Sequence, residues 1–140
     1  CYHDLDGEPI GYVARYETAK GKTIRPWTYG SMSANIKPKW ESKQFSYPRP
    51  LYGMEKLAEM PDSQILLVEG EKACDAAQEL YPMLCCMTWP GGSNSVKLAD
   101  WRVLKGRENV VLWPDNDLAG ERAMLEVGGY LFGVDNERSE

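Results

Sequence analysis

The chain has 140 residues, enough for one domain of ordinary size with a small appendage, and its 43% hydrophobic and 26% charged residues exclude a disordered polymer. No apolar run approaches the roughly 18 residues that cross a bilayer, so no membrane partner is expected and the setting is read as cytoplasmic. The net charge of −5 is uneven: residues 1–60 hold nine Lys/Arg against seven Asp/Glu, and residues 61–140 hold seven against fourteen.

The first residue is Cys1, not methionine, and the chain reads as a piece of a longer polypeptide. Ile10, Tyr12, Ala14 and Tyr16 alternate with Gly11, Val13, Arg15 and Glu17, the two-residue period of a half-buried strand. A turn at Asp6-Gly7-Glu8-Pro9 precedes it and a hairpin loop at Ala19-Lys20-Gly21-Lys22 comes after it. A second strand is expected over 23–29, with Pro26 pointing to an edge position. Residues 30–53 show no sustained period and read as a connector, with Trp40 and Phe45 as anchors onto the next domain. A short helix is expected over 54–59, and residues 1–60 form a small β-rich unit and connector.

From residue 61 the pattern changes. Ile65-Leu66-Leu67-Val68 is a continuous apolar run, as a strand buried on both faces requires. A helix over 71–80 has Ala73, Ala76, Ala77 and Leu80 on one stripe and stops before Pro82. A strand over 84–88 closes in Pro90-Gly91-Gly92, and a short helix is expected over 95–101. Residues 109–113 read as a third buried strand, leaving through Pro114-Asp115-Asn116-Asp117. Asp117 is a good N-cap for a helix over 118–131 that turns Ala123, Met124, Val127 and Leu131 inward. Strand and helix in alternation imply an α/β domain over 61–140, with a mostly parallel sheet flanked by helices.

The four cysteines, Cys1, Cys74, Cys85 and Cys86, lack the spacing of a zinc site and read as free thiols. The acidic residues are more informative. Ligands of open α/β sheets gather at the carboxyl ends of the strands. Glu69 comes directly after one strand, and Asp115 and Asp117 come after another, past a single proline. Three carboxylates on one rim suit a divalent cation with hard oxygen ligands, which keeps several waters for phosphate oxygens to replace. Each residue also has a plainer use: Asp115 turns a loop, Asp117 caps a helix, and Glu69 precedes a helix whose dipole favours it.

Three segments together, Leu66-Leu67-Val68-Glu69-Gly70-Glu71-Lys72-Ala73, Trp89-Pro90-Gly91-Gly92-Ser93-Asn94 and Val110-Val111-Leu112-Trp113-Pro114-Asp115-Asn116-Asp117-Leu118-Ala119-Gly120, resemble the TOPRIM domain of primases, topoisomerases and related nucleases. The likeness covers roughly residues 62–132, and it implies the Rossmann-like TOPRIM fold. Topoisomerase versions carry a further acid two residues after the second aspartate. Ala119 stands there, and Asp117-Leu118-Ala119-Gly120 with Arg122 is similar to the version in bacterial and phage primases and primase-helicases.

This resemblance implies a nucleotidyl transferase that makes RNA primers on a single-stranded DNA template, with Glu69 as general acid/base or metal ligand. Asp115 and Asp117 would hold Mg²⁺, with Mn²⁺ as a substitute, to orient the phosphates of incoming nucleotides. Lys72, Arg122, Gly91, Gly92, Ser93 and Asn94 are the implied nucleotide and nucleic-acid contacts, and a helicase domain or subunit is the implied partner. Trp89 and Trp113, nearest the rim, are candidates for base stacking. Two alternatives stay open: a nuclease of the overcoming-lysogenization-defect type, and a non-catalytic nucleic-acid-binding module of the same shape.

Overall fold

The computed structural model describes residues 1–30 and 37–133. Residues 31–36 of the expected connector and 134–140 of the expected α/β domain lie outside them. The architecture is mixed α/β. A four-stranded antiparallel sheet, ordered β1-β2-β3-β4, precedes a three-stranded parallel sheet ordered β6-β5-β7. Among the described residues no helix is long and apolar enough to cross a membrane.

In the antiparallel sheet, β1 (Tyr2–His3), β2 (Pro9–Thr18), β3 (Gly21–Gly30) and β4 (Lys39–Glu41) pair as successive neighbours. The strand expected over 10–16 and the one expected over 23–29 are both present and longer. Pro26 nevertheless lies in an inner strand. It is tolerated because β4 pairs only with Thr28 to Gly30, so beside Pro26 the outer side of β3 is open.

The alternation in β2 and β3 divides the sheet into two faces. One carries Tyr2 and Gly11 against Phe45, and the Phe45 ring lies so close over Gly11 that no side chain fits there. Phe45 is buried, though its contacts are with Tyr2 and Gly11 of this same sheet, whereas an anchor onto the next domain was expected. Trp40 is not: at 42% exposed it stands on the opposite, outward face.

The parallel sheet is made of β5 (Ile65–Leu67), β6 (Cys85–Met87) and β7 (Val110–Leu112), with α1 (Met54–Glu59), α2 (Glu71–Leu80) and α3 (Leu118–Phe132) around it. Strand alternation sends Ile65, Leu67, Cys85 and Met87 to one face, where they pack with Leu57, Trp89, Val96, Ala123, Met124 and Val127. Leu66, Val68 and Cys86 face the other way and pack on Cys74 of α2. The short helix expected over 95–101 is instead two 3₁₀ segments, Ser93–Leu98 and Trp101–Leu104, parted at Ala99-Asp100.

Two expectations are corrected by packing. The stripe Ala73-Ala76-Ala77-Leu80 is not the buried face of α2: Cys74 is fully buried, whereas Leu80 is 73% exposed. Polar contacts help to set the helix rotation. Gln78 donates to Leu84 O and accepts from Cys86 N, and Glu71 accepts from the Tyr2 hydroxyl at 2.7 Å. β7 is not buried on both faces either: Val111 and the adjoining Trp113 are exposed, whereas β6, the other edge strand, is buried throughout.

Candidate functional site at the strand ends

The order β6-β5-β7 means that the chain leaves β5, adds β6 on one side, and then returns to add β7 on the other. At such a reversal the connections depart to opposite faces, and a crevice opens beyond the carboxyl ends of the two strands. Glu69 lies two residues beyond β5, and Asp115 and Asp117 lie in the exit loop of β7, which runs parallel to β5 and next to it.

Several local features hold Glu69. Buried Thr88, just past β6, accepts from Gly70 N at 3.0 Å through its hydroxyl. Ser93 N donates to Glu69 Oε1 at 2.9 Å across the glycine turn. Gly92 has φ +70°, a backbone conformation in which any side chain is strained, and a Cβ there would be in ordinary contact with Glu69 Oε1 at 3.8 Å. Trp89 ties the same turn to the core, donating from Nε1 to Gly92 O at 2.9 Å.

Glu69 Oε2 is buried and has no hydrogen-bond partner. Burial raises the Glu69 pKa most. Nearby Asp115 adds to the rise, hydrogen bonding from Ser93 opposes it, and Asp117 adds again. Glu69 is therefore near enough to both aspartates for their negative charge to act on it. Among the described residues, however, no group of three or more His, Cys, Asp or Glu side chains is placed to hold a metal ion. Asp115 and Asp117 are exposed, and Asp117 also does the plainer work expected of it: its Oδ1 caps α3 by accepting from Gly120 N at 2.7 Å.

Lys72, Asn94 and Arg122 are exposed, Lys72 in the first turn of α2 and Arg122 early in α3. Gly91 and Gly92 form the turn, and Ser93 contributes its backbone N–H. Trp89 is fully buried, so it is core and not a stacking platform, whereas Trp113 is half exposed.

Sequence reading missed two residues. Thr88 carried only the weak signal of a polar residue ending an apolar strand. Arg49 carried none: its guanidinium reaches the turn, with Nη1 3.3 Å from the place a Cβ on Gly91 would take. The cysteines do not join the site. Cys74, Cys85 and Cys86 are buried, and burial pushes the Cys74 thiol up to about 12 and the Cys85 thiol to about 11, which keeps them protonated and unreactive.

Because the folded protein raises the Glu69 pKa, it binds that proton more tightly than the unfolded chain does. This contribution to stability is complete below the ordinary glutamate pKa and is lost as pH rises through the raised one. Glu69→Gln should therefore melt at a higher temperature than the natural protein at neutral pH. The gap should close toward about pH 4, and an equal gap at both pH values would contradict the assigned cause.

A family model described as a domain of unknown function, DUF6371, matches residues 9–116, more than half of the chain. No curated protein and no solved structure matches it.

Proposed function

The chain belongs to the DUF6371 family, and from its strand-end site we propose a Mg²⁺-dependent nucleotidyl-transfer domain of the TOPRIM type, part of a primase-like protein that makes RNA primers on single-stranded DNA. The observation that carries this reading is the approach of Glu69, beyond β5, to Asp115 and Asp117, beyond β7, with Glu69 Oε2 lacking any partner. An all-oxygen set suits Mg²⁺ or Mn²⁺. Its openness suits a cation that usually takes one or two carboxylates and completes its shell with water and phosphate oxygens.

Asp115 and Asp117, with Glu69, would hold the ion. When bound, the ion supplies positive charge to the phosphates of the substrate. The proton affinity of Glu69 is raised, the direction that suits a general base, and in this reading it would take the proton of the attacking hydroxyl. Arg49 and Lys72, with the N–H groups of Gly91, Gly92 and Asn94, would steady phosphates at the rim, and Arg122 would add charge from α3. A helicase domain or subunit would complete the replication role.

The commitment of Asp117 Oδ1 to the helix cap, with no group of three such side chains placed to hold a metal among the described residues, favours a second reading: a non-catalytic nucleic-acid-binding module. Mn²⁺ titration, read by calorimetry or paramagnetic broadening, separates the two. In the catalytic reading Asp115→Asn, Asp117→Asn and Glu69→Gln each fold and bind Mn²⁺ at least about tenfold more weakly, the loss of one charged oxygen ligand being worth upwards of 1.4 kcal/mol. Unchanged binding in the two aspartate variants leaves only the binding module.

A further inference from the structure

We infer that the outward face of the antiparallel sheet binds single-stranded nucleic acid, stacking bases on the rings of Tyr12, Trp27, Tyr29 and Trp40. The strand register puts these four side chains on one face: Tyr12 pairs with Trp27, and Tyr29 pairs with Trp40. Their rings form a connected row, with centroids 6.2 Å apart for Tyr12–Trp27, 5.1 Å for Tyr12–Trp40 and 5.4 Å for Tyr29–Trp40. Gly11 and Tyr2 point to the opposite face, against Phe45, so the aromatic row turns away from the core of the protein.

Rings of this size are ordinarily buried, yet Tyr29 is 53% and Trp40 42% exposed. Farther along the same face Tyr16 and Arg25 line a shallow groove of about 290 Å³ that runs up to Trp27. Trp27 Nε1 has no acceptor, an unmet donor within the row.

The positive balance of this sheet as a whole favours an anionic occupant. Residues 9–30 and 37–43 hold seven Lys/Arg and two Asp/Glu, in a chain whose net charge is −5. Among the described residues only Lys39 of those seven is in an ion pair, with Glu41 at 3.3 Å. A protein-binding surface depletes charge around its aromatic centre, and a neutral sugar has no use for the cations. The register puts Arg25 on the aromatic face beside Trp27, with Lys20 in the hairpin turn, whereas Arg15, Lys22 and Lys39 point to the opposite face. Flat rings with Arg25 beside them suit a strand that offers base faces and phosphates together, and every base has such a face, so the binding should tolerate any sequence. The inference is independent of the carboxylate site and stands or falls without it.

The test is fluorescence anisotropy of the whole chain with a labelled oligodeoxythymidylate of roughly 16 nucleotides, the upper site size of a single stacking module. EDTA is present throughout, so that the carboxylate site plays no part. The natural protein should bind, and Tyr29→Ala and Trp40→Ala should each weaken binding by about tenfold, within the range that loss of one stacked base produces. Trp40→Phe should restore most of it, and Asp115→Asn should leave it unchanged. Photo-crosslinking of an iodouracil-substituted oligonucleotide to the natural protein supplies a measurement that needs no variant to fold, and its adducts should fall on the aromatic row. Absence of binding, equal affinity in the alanine variants, equal affinity for heparin or a neutral oligosaccharide, or adducts confined to the rim near Asp115 would each overturn the inference.

Discussion

Trp89→Ala should lower the unfolding free energy by about 3–5 kcal/mol, the usual cost of emptying a fully buried aromatic site. Trp89 has no exposed surface and packs in the main core among Leu51, Met87 and Val96, with Trp101 at a ring distance of 5.7 Å. A second loss comes with the first, because the indole Nε1–H is what ties Gly92 O to the core. Trp89→Phe separates the two effects: it keeps much of the volume but removes the hydrogen bond, whose net worth is about 1 kcal/mol. Urea denaturation of the three proteins measures both. A loss under about 1 kcal/mol for the alanine variant would mean that the site closes up around the hole, against the expected partial relaxation.

Gly120→Ala should uncouple the β7 exit loop from α3, with a large effect on cation binding. A Cβ at position 120 would stand 2.8 Å from both N and O of Asp115 and 3.0 Å from its Cβ. These are atoms at the root of the site loop, so relief requires that loop to move, and overpacking of this kind costs about 1–3 kcal/mol. The same shift disturbs the Gly120 N–H to Asp117 Oδ1 cap. Gly128→Ala is the internal control. Its Cβ would meet Leu112 Cδ1 at 3.6 Å, an ordinary contact, and alanine in a helix interior gains about 0.5–1 kcal/mol over glycine. Thermal melting should therefore move in opposite directions for the two variants. If the proposed function is correct, only Gly120→Ala should also weaken Mn²⁺ binding. Intact stability and intact Mn²⁺ binding in Gly120→Ala would show that the close approach of helix and loop is not needed.

Much of this molecule was legible along the chain because it is encoded within a few residues. The two-residue alternation around Tyr12 announced β2, and the apolar runs at Ile65, Cys85 and Val110 announced the parallel strands. The position of Asp117 announced the cap of α3, since a capping side chain needs only its own next three residues. The carboxylates at the ends of β5 and β7 were likewise visible, because strand ends can be read from sequence.

Tertiary structure alone decided what depends on partners distant in the chain. The order β6-β5-β7 made β7 an edge strand and set Glu69 facing the Asp115 loop, and no local residue specifies which strands become neighbours. The rotation of α2 buried Cys74 instead of Leu80, because alanines bring little apolar surface and contacts from Tyr2 and to β6 outweigh them. The row from Tyr12 to Trp40 turned outward because Gly11 and Phe45 had already given the other face of the sheet to the core. Thr88 and Arg49 joined the rim for the same reason: each is brought there by pairing between Arg49–Tyr52 and the segments at Thr88 and Ala99, contacts that span some tens of residues and leave no trace in either stretch read by itself.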